Sequence, residues 1–525
     1  MNKKRSLTAV AVGAVAALTL TACGQQASTQ EGAITAVFSN IAESPTLDPA
    51  VAYSSDGFLF VRNVYDTLTQ YEPGGAEIKP SLAETWEVSD DATEYTFTLR
   101  DGVTFHDGTS LDAEDVVQSV LRVQGVNQGP ASLVVGVESV EAIDDRSVRF
   151  SLSAPDVYLP GKLQKIAILS SEAITQNGTA DDEWATAWFA DNEAGSGPYQ
   201  LSEWNKGSAI ELTAFEDYHL DWDSAAPTAV TLRVDPDVQT AVQLMGQGEI
   251  DMLGAIGPDD SASAALIDGI KLVEQESLSV QILPLNVQSE RLADPRVREA
   301  VTLAFDYQAM VDYYQGFADV SRGPLPSGFG GGIEELAEFE RDVERAKQLL
   351  SEAGVAPGEL TLSYLGLSGL SYQEFAGILL EQNLGEIGVG LDIQMVPWPQ
   401  MSEIQSNPDT ASDISFLNMS AVTDDPSAML AQGYITSNWA SNGGYNWAYF
   451  PDPAVDSAVA TLSGIADESA RQAALLEAVQ SIKESHVAIY ASQPKLAQPV
   501  RAEWDVKFEI MDFNYVIRFF HARSS

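Results

Sequence analysis

The chain has 525 residues, with 76 acidic and 28 basic side chains and a formal net charge of −48. A body this acidic repels polyanions, which excludes nucleic acid as a partner and excludes membrane adsorption through charge alone. The apolar residues make up 45% of the sequence, enough for a folded core rather than a disordered chain, and the length predicts two or more domains.

The first 22 residues are predicted to be a signal peptide. Three basic residues lie among the first five and are followed by an uncharged run, SLTAVAVGAVAALTL, at 6–20. The run is shorter than the roughly 20 residues needed to span a membrane, and small residues follow it, as at signal-peptide cleavage sites. No later stretch is long and apolar enough to span, so the mature chain is predicted not to be integral to the membrane.

Cys23 is the only cysteine of the chain. Leu20, Thr21, Ala22 and Cys23 resemble the lipobox of bacterial lipoproteins, in which the cysteine sulfur receives a diacylglycerol and cleavage occurs before the cysteine. Two or three acyl chains give stable anchoring where one chain is marginal. The resemblance implies a protein anchored by lipid to the outer face of the cell membrane, with 23–31 as a flexible tether. The alternative is an ordinary signal peptide with an accidental cysteine.

The N-terminal half alternates short strands with helices. A strand is predicted at 34–38, then a polar loop and a helix over about 58–68 with helical spacing of its apolar residues. Alternating residues and two Asp-Gly pairs predict hairpin strands and turns at 93–110. Asp112 is the predicted N-cap of the next helix, and 147–155 reads as another alternating strand.

The second half is richer in helices. Apolar faces predict helices over 294–314, 334–354 and 468–485, the second of them ending at a glycine of the kind that terminates helices. The segment 373–398 predicts a helix, a glycine-containing turn and a strand. Strands and helices alternate along the chain, so the predicted fold class is α/β.

Several segments, in order along the chain, together resemble one protein family. PSLAETWEVSDDATEYTFTLRDGVTFHDGTSLDAEDVVQSV at 80–120 is similar to the signature of the peptide/nickel/opine-type extracellular solute-binding proteins, family 5, of ABC importers. Further segments resemble that family in the same order: GSGPYQLSEW at 195–204, DPDVQTAVQLMGQGEIDML at 235–253, PLNVQSERLADPRVREAVTLAFD at 284–306 and GYNWAYFPDPAVDSAV at 444–459.

The resemblance implies a two-lobe clamp like that of the periplasmic binding proteins, of type II and of the large class with an extra subdomain. We place lobe I at 32–283 plus 490–525, with the inserted subdomain near 72–187. Lobe II is placed at 284–489, so that the chain crosses twice between lobes.

The implied function is that of the substrate-binding lipoprotein of an ABC importer. It captures a solute, most often a peptide or peptide-like compound, between its lobes and delivers it to a membrane permease. The implied partners are the permease and the ATPase subunits, the protein itself is expected to be a monomer, and no cofactor is expected. The alternatives are a non-peptide solute (oligosaccharide, opine or nickel chelate) or a receptor-like signalling or adhesion lipoprotein.

An enzymatic function is not expected, because the sequence has no phosphate loop, nucleophile elbow or zinc-protease motif. The histidines show no metal-ligand spacing, so no metal site is expected, and His106 is interpreted as structural. The glycine-rich segment 326–339 lacks the lysine of a phosphate loop and is interpreted as an inter-element loop.

Candidate ligand contacts are polar and aromatic residues outside clean helical stripes. Flat aromatic walls beside amides and hydroxyls suit a cleft for an amide-containing ligand or a sugar, with core packing as the alternative for each aromatic residue. The residues proposed from lobe I are Thr46, Tyr53 and Ser54, and those from lobe II are Asn286, Trp398, Asn418, Ser420, Trp439, Tyr445, Asn446 and Trp447.

The chain departs from its relatives at one position. Many peptide-binding members carry an aspartate three residues before an Asp-Pro pair, where it holds the α-ammonium group of the peptide. Here Val422 stands three residues before Asp425-Pro426, and an unpaired buried ammonium would be costly. Either Asp424 substitutes through a shifted loop or the ligand has no cation at this point, and the sequence favours the second interpretation.

Overall fold

A computed structural model describes residues 34–507, except 41, 73, 74, 76, 223, 236 and 255. The predicted signal peptide, Cys23, the whole of the tether and the C-terminal residues from 508 onward lie outside the described residues.

The strands run through the whole described chain. In chain order they are β1 (Thr35–Asn40), β2 (Thr69–Tyr71), β3 (Ile78–Pro80), β4 (Ala83–Val88), β5 (Glu94–Leu99), β6 (Val137–Asp144), β7 (Ser147–Leu152), β8 (Tyr199–Asn205), β9 (Ala209–Ala214), β10 (Ala229–Val234), β11 (Met252–Leu253), β12 (Ile270–Gln275), β13 (Ser279–Pro284), β14 (Ala318–Asp319), β15 (Thr361–Leu367), β16 (Gly390–Val396), β17 (Ile414–Ser415), β18 (Leu417–Ser420), β19 (Ala488–Pro494) and β20 (Leu496–Arg501).

The helices lie in the connections between these strands, and most of the connections that have a helix contain a single one. They are α1 (Ser55–Val64), α2 (Ala113–Val126), α3 (Leu159–Leu163), α4 (Ser171–Asn177), α5 (Thr186–Phe189), α6 (Val238–Gln247), α7 (Pro258–Ala265), α8 (Pro295–Ala304), α9 (Tyr307–Tyr313), α10 (Val343–Glu352), α11 (Ser371–Glu386), α12 (Trp398–Gln405), α13 (Pro426–Tyr434), α14 (Pro453–Leu462) and α15 (Glu468–Glu484).

The first sheet is built from both ends of the described chain. Its strand order is β12-β20-β11-β1-β10-β9-β8. Strand β1 pairs in parallel with β10 and β11, and β20 returns from the far end of the chain to pair antiparallel with β12. A buried cluster that includes Phe38, Phe58, Tyr199 and Val500 packs on this sheet.

The subdomain is a separate antiparallel sheet in the order β4-β5-β7-β6. Its core packs the buried face of α2, with Val116 and Val120, against Phe97 and Phe150 of the sheet. The alternation predicted at 93–110 corresponds to β5, and the two predicted Asp-Gly turns place Gly102 and Gly108 at φ +73° and +86°. The hairpin partner of β5 is β4 rather than the residues that follow it.

The second half forms two more sheets, in the orders β14-β19-β13-β18 and β16-β15-β17. The chain leaves the first sheet after β12, enters the second at β13, and returns at Lys495 between β19 and β20. The predicted lobe boundaries at 283/284 and 489/490 therefore fall inside β13 and β19. The boundaries of the lobes stay a prediction.

Most of the predicted helices are confirmed, and three predictions need correction. The helix predicted over 294–314 is two helices, α8 and α9, because Phe305 is extended (φ −69°, ψ 136°) and Asp306 caps α9. The helix predicted over 58–68 ends at Val64, because Tyr65 is extended (φ −115°, ψ 144°) and Leu68 is buried in the subdomain core instead. The helix predicted over 334–354 begins only at Val343, capped by Asp342. Phe339, expected on the face of that helix, stacks on Tyr307 and Tyr490 from a non-helical segment.

Candidate ligand-binding site

Three of the predicted aromatic residues lie together. Trp398, Tyr445 and Trp447 have ring centroids 5.8 to 6.5 Å apart, and their planes are within 13° to 23° of one another. Because all three distances are similar, the rings form a triangle; in a straight column the outer pair would be about twice as far apart. Trp398 is 42% exposed and Tyr445 is 38% exposed, whereas Trp447 is buried. We call these three residues the aromatic platform.

The loop that carries two of these rings is held by Asn446. Its side-chain amide donates to the carbonyls of Ile435 (3.0 Å) and Phe450 (3.1 Å), and its Oδ1 accepts from the backbone N–H of Phe450 (3.2 Å). Asn446 is fully buried. These three hydrogen bonds shape the loop beside the platform, and the ligand contact expected for Asn446 stays a prediction.

Trp439 belongs to the same loop and also packs internally. Its Nε1–H donates to the Phe450 carbonyl at 3.3 Å, and its ring meets that of Tyr449 edge to face at 5.6 Å between centroids. Trp439 is half-buried, so it supports the loop and keeps part of its surface accessible.

Asn286 lies at the end of β13 and is 1% exposed. Its Nδ2 donates to the Pro408 carbonyl (3.2 Å), and its Oδ1 accepts from the backbone of Gln288 (3.0 Å). As with Asn446, both ends of the amide are bonded within the protein. Asn286 thus stabilises the start of a turn, and its predicted ligand contact stays a prediction.

The two predicted residues on β18, Asn418 and Ser420, differ in how far they are exposed. Ser420 is 8% exposed and its Oγ is 2.7 Å from the Oγ of Ser279 on the neighbouring strand β13. Asn418 is exposed, and its Nδ2 donates to Ser420 Oγ at 3.1 Å. Asn418 therefore remains accessible to a ligand, while Ser420 orients it.

The lobe I loop with Thr46 is fixed by a buried ion pair. Arg122 of α2 binds both carboxylate oxygens of Asp48 at 2.7 Å, and neither side chain is more than 1% exposed. Thr46 Oγ1 accepts from the backbone N–H of Asp48 at 3.2 Å. This bidentate geometry holds the loop that carries Thr46 against the subdomain.

The other two lobe I residues lie at the start of α1. Ser54 is exposed and caps the helix, since its Oγ accepts from the backbone of Gly57 at 3.4 Å. Tyr53 is half-buried, and its ring lies edge to face with Phe58 at 5.0 Å between centroids. Burial raises the pKa of Tyr53 well above its ordinary value, so its hydroxyl stays protonated and can donate.

Asp424 and Asp425 lie at a contact that the sequence did not reveal. The Tyr71 hydroxyl of β2 is 3.4 Å from Asp424 Oδ1 and accepts from the Asp424 backbone N–H at 3.1 Å. Lys162 Nζ lies 3.2 Å from Asp425 Oδ2 and 2.7 Å from Asp156 Oδ2. Lys162 lies more than 250 residues before Asp424 and Asp425 in the sequence, so no sequence spacing could have indicated its pairing with Asp425.

His106 is saturated within the protein. Its Nδ1 lies 2.8 Å from Glu193 Oε2 and its Nε2 lies 2.9 Å from the carbonyl of Gly197. Both partners are acceptors, so the protonated imidazole, which donates from both ring nitrogens, satisfies both contacts. Burial lowers the pKa of His106, but the Glu193 carboxylate raises it more, so the net shift is upward.

The described residues contain neither a cluster of metal-ligating side chains nor a helix suited to span a membrane. Within residues 34–507, leaving aside the seven undescribed positions, no three His, Cys, Asp or Glu side chains are grouped so as to hold a metal ion. In the same part of the chain no helix has the length and apolar character needed to cross a membrane.

Residues 77–441, more than half of the chain, match the middle region of the bacterial extracellular solute-binding proteins, family 5. The chain belongs to this family. Its members bind solutes without transforming them, so the functional site is a binding site and not a catalytic one.

The curated relatives align over most of their length. The chain is 26% identical to the probable D,D-dipeptide-binding periplasmic protein DdpA of Escherichia coli, covering 87% of this chain and 88% of that protein. It is 26% identical to the oligopeptide-binding protein AppA of Bacillus subtilis over 96% of both chains. It is 27% identical to di/tripeptide-binding protein 2 of Pseudomonas aeruginosa, covering 83% of this chain and 85% of the other.

Solved structures of family members share the fold. HbpA2 of Haemophilus parasuis superposes with a TM-score of 0.81 at 23% identity, over 94% of this chain and all of that one. DppA of Helicobacter pylori, solved with the peptide STSA, superposes with a TM-score of 0.76 at 24% identity, over 94% and 99%. The predicted α/β two-lobe clamp of the type II periplasmic binding proteins is thereby confirmed.

Proposed function

We propose that this protein is the lipid-anchored receptor of an ABC importer and that it captures a peptide or peptide-like solute. The observation that carries the proposal is the alignment of named peptide-binding relatives over 83% to 96% of this chain. The receptor closes its lobes, 32–283 with 490–525 and 284–489, around the solute and presents it to the permease. The ATPase subunits drive transport.

The accessible part of the candidate site supports a ligand with both apolar and polar groups. The exposed rings of Trp398 and Tyr445 offer flat apolar surface, and Asn418 offers an amide that donates and accepts hydrogen bonds. Thr46, Tyr53 and Ser54 add hydroxyls from lobe I. A peptide side chain on the platform and a peptide backbone beside the polar groups would use both kinds of surface.

The contacts of Asp424 favour a ligand without an ammonium group at this point. Its carboxyl faces the Tyr71 hydroxyl, and the neighbouring Asp425 is already paired with Lys162. The chain thus supplies its own donors to both acids. Val422 can supply no charge in their place, so we propose an N-blocked or modified peptide, or a non-peptide solute, as the natural ligand.

Calorimetry on matched free and N-acetylated di- and oligopeptides tests the proposal. For a peptide that binds, acetylation should change the affinity by less than about tenfold, which is 1.4 kcal/mol. A loss of binding on acetylation would contradict the blocked-ligand proposal and leave an amine-anchored peptide receptor. If no peptide binds while an oligosaccharide, an opine or a nickel chelate does, the peptide class itself is wrong.

Anchoring is a separate part of the proposal and rests on Leu20 to Cys23. Cys23→Ser removes the thiol that would receive the diacylglycerol, so the variant should either leave the membrane fraction or remain unprocessed. The measurement is fractionation and gel mobility in the native host, with Ser28→Ala in the tether as the control. A Cys23→Ser variant that fractionates and migrates like the wild type would mean that the protein is not a lipoprotein.

A further inference from the structure

One patch joins segments of the chain that lie more than 250 residues apart. We call it the acid latch and define it by Tyr71, Asp156 and Lys162 on one side and by Asp424 and Asp425 on the other. Lys162 bridges the two sides, since its Nζ contacts Asp156 at 2.7 Å and Asp425 at 3.2 Å. The side chains of Lys162 and Asp425 are 15% and 4% exposed, so the bridge is largely shielded from water.

A backbone hydrogen bond, a buried cluster and a close approach at Gly161 also join the two sides of the latch. The backbone N–H of Val157 donates to the carbonyl of Ser463 at 2.9 Å. Tyr71 is buried in a cluster with side chains of β13 and β18. At Gly161 an added Cβ would lie 1.8 Å from Asp424 Oδ1. Tyr71 and Gly161 lie in the predicted lobe I and Asp424 in the predicted lobe II, so the latch crosses the predicted boundary between the lobes.

The charges within the latch do not balance. Three carboxyl groups (Asp156, Asp424 and Asp425) face one ammonium group, that of Lys162, and the Tyr71 hydroxyl carries no charge. Burial lowers the pKa of Lys162, but Asp425 and Asp156 raise it more, so this group stays charged. Fully ionised, the patch would hold excess negative charge away from water, which is unfavourable.

Two guanidinium groups lie near the latch and donate to backbone carbonyls. Arg471 of α15 lies 5.6 Å from the ring centroid of Tyr158, and its Nη1 donates to the Ile465 carbonyl at 2.7 Å. Arg62 of α1 donates to the Gln164 carbonyl at 2.8 Å. Burial, and then the Asp425 carboxylate, raise the pKa of Asp424 to about 7, which makes Asp424 the group that takes up a proton.

We propose that the acid latch couples lobe closure to proton uptake, so that the closed form is favoured as the pH falls. In the open form Asp424 faces water and its pKa returns toward the ordinary carboxyl value. The raised pKa in the closed form means that the contribution to closure is complete below that ordinary value and is lost as the pH rises through about 7. The inference concerns closure and goes beyond the identity of the solute.

A cavity of about 220 Å³ borders one side of the latch and is lined in part by Asp156, Lys162, Pro155 and Ser463. It is large enough to hold water, so water can reach the Asp156 and Lys162 side of the latch.

Small-angle X-ray scattering of the ligand-free full chain between pH 5 and pH 8 tests the latch. We expect the wild type to expand as the pH rises, with the closed-to-open ratio falling by up to about tenfold per pH unit for one linked proton. Asp424→Asn has the same shape but is permanently neutral, so it should stay compact over the whole range. Asp409→Asn removes an exposed carboxylate elsewhere in the predicted lobe II and should behave like the wild type.

A second variant tests the latch from its other side. Lys162→Met leaves the carboxyl groups without their ammonium partner, so the expansion should begin at a lower pH than in the wild type. The proposal is wrong if the wild type does not expand, or if Asp424→Asn keeps the pH response of the wild type. Because no ligand is used, this failure is distinct from a failure of the proposed function, which the peptide titrations decide.

Discussion

At the scale of single residues, the arrangement of the site depends on polar groups whose partners are remote in sequence. The sequence predicts Asn286 and Asn446 as ligand contacts because they are amides in polar surroundings. In the folded chain both ends of each amide are hydrogen-bonded to backbone groups. Trp398 and Tyr445 stay predicted ligand contacts, and their exposed rings are of a kind that has few structural uses. An amide has many, and its residue type does not show whether it is already bonded.

The Arg122–Asp48 pair predicts a large loss of stability on truncation. Arg122→Met leaves the Asp48 carboxylate buried without a partner, which should lower the free energy of unfolding by about 3–5 kcal/mol. Lys347→Met is the matched control, because the Lys347–Glu344 pair is exposed and such pairs contribute about 0–1 kcal/mol. Urea unfolding measures both variants, and similar losses for the two would show that the buried pair has no special role.

At the scale of elements, a capping residue and an apolar face together predicted α2. Asp112 is the N-cap of α2 as predicted, and it forms a capping box in which Asp115 Oδ2 accepts from the Asp112 backbone N–H at 2.8 Å. The segment 334–342 has the apolar spacing of a helix but is not one, because Asp342 caps α10 eight residues later. Periodicity alone could not separate these cases; the position of the capping residue could.

The capping box gives a prediction at this scale. Asp112→Ala removes the acceptor for the backbone N–H groups of Glu114 and Asp115 and should lower the free energy of unfolding by about 1 kcal/mol. Glu114→Ala, an exposed substitution in the same first turn, should cost less than about 0.5 kcal/mol. Equal effects in thermal or urea unfolding would mean that the cap does not stabilise α2.

Close contacts between elements explain a segment that the sequence only marked as familiar. A Cβ at Gly195 would lie 2.1 Å from the carbonyl oxygen of Val64, and Gly197 donates its N–H to that same oxygen at 2.9 Å. The glycines at the start of GSGPY therefore let the strand that follows begin against the end of α1. This physical reason needs the tertiary structure and could not be read from the sequence.

At the scale of the whole molecule, the order of the family segments predicted the two-lobe clamp, and the fold of the solved relatives confirms it. The points where the chain changes sheets were predicted less well. Strands β13 and β19 are extended, as their sequences indicated, but both pair fully within the second sheet. An extended segment looks the same in sequence whether it joins two sheets or belongs to one of them.

The clamp predicts that a bound solute compacts and stabilises the protein together. At a free ligand concentration one hundred times the dissociation constant, the stability should rise by about 2.7 kcal/mol, and the radius of gyration should fall because only closed lobes contact the ligand from both sides. Calorimetry and solution scattering on the same sample measure the two effects. A ligand that raises the melting temperature without compaction would contradict the clamp.

Gly161 allows the predicted lobes I and II to approach closely at the acid latch, because even a methyl group there would collide with the carboxyl group of Asp424. Gly161→Ala is expected to hold the two predicted lobes apart at this contact without changing the rest of either lobe. We expect this variant to fold but to close less completely around a solute. One added carbon atom at Gly161 is therefore expected to weaken closure of the proposed clamp through its contact with Asp424.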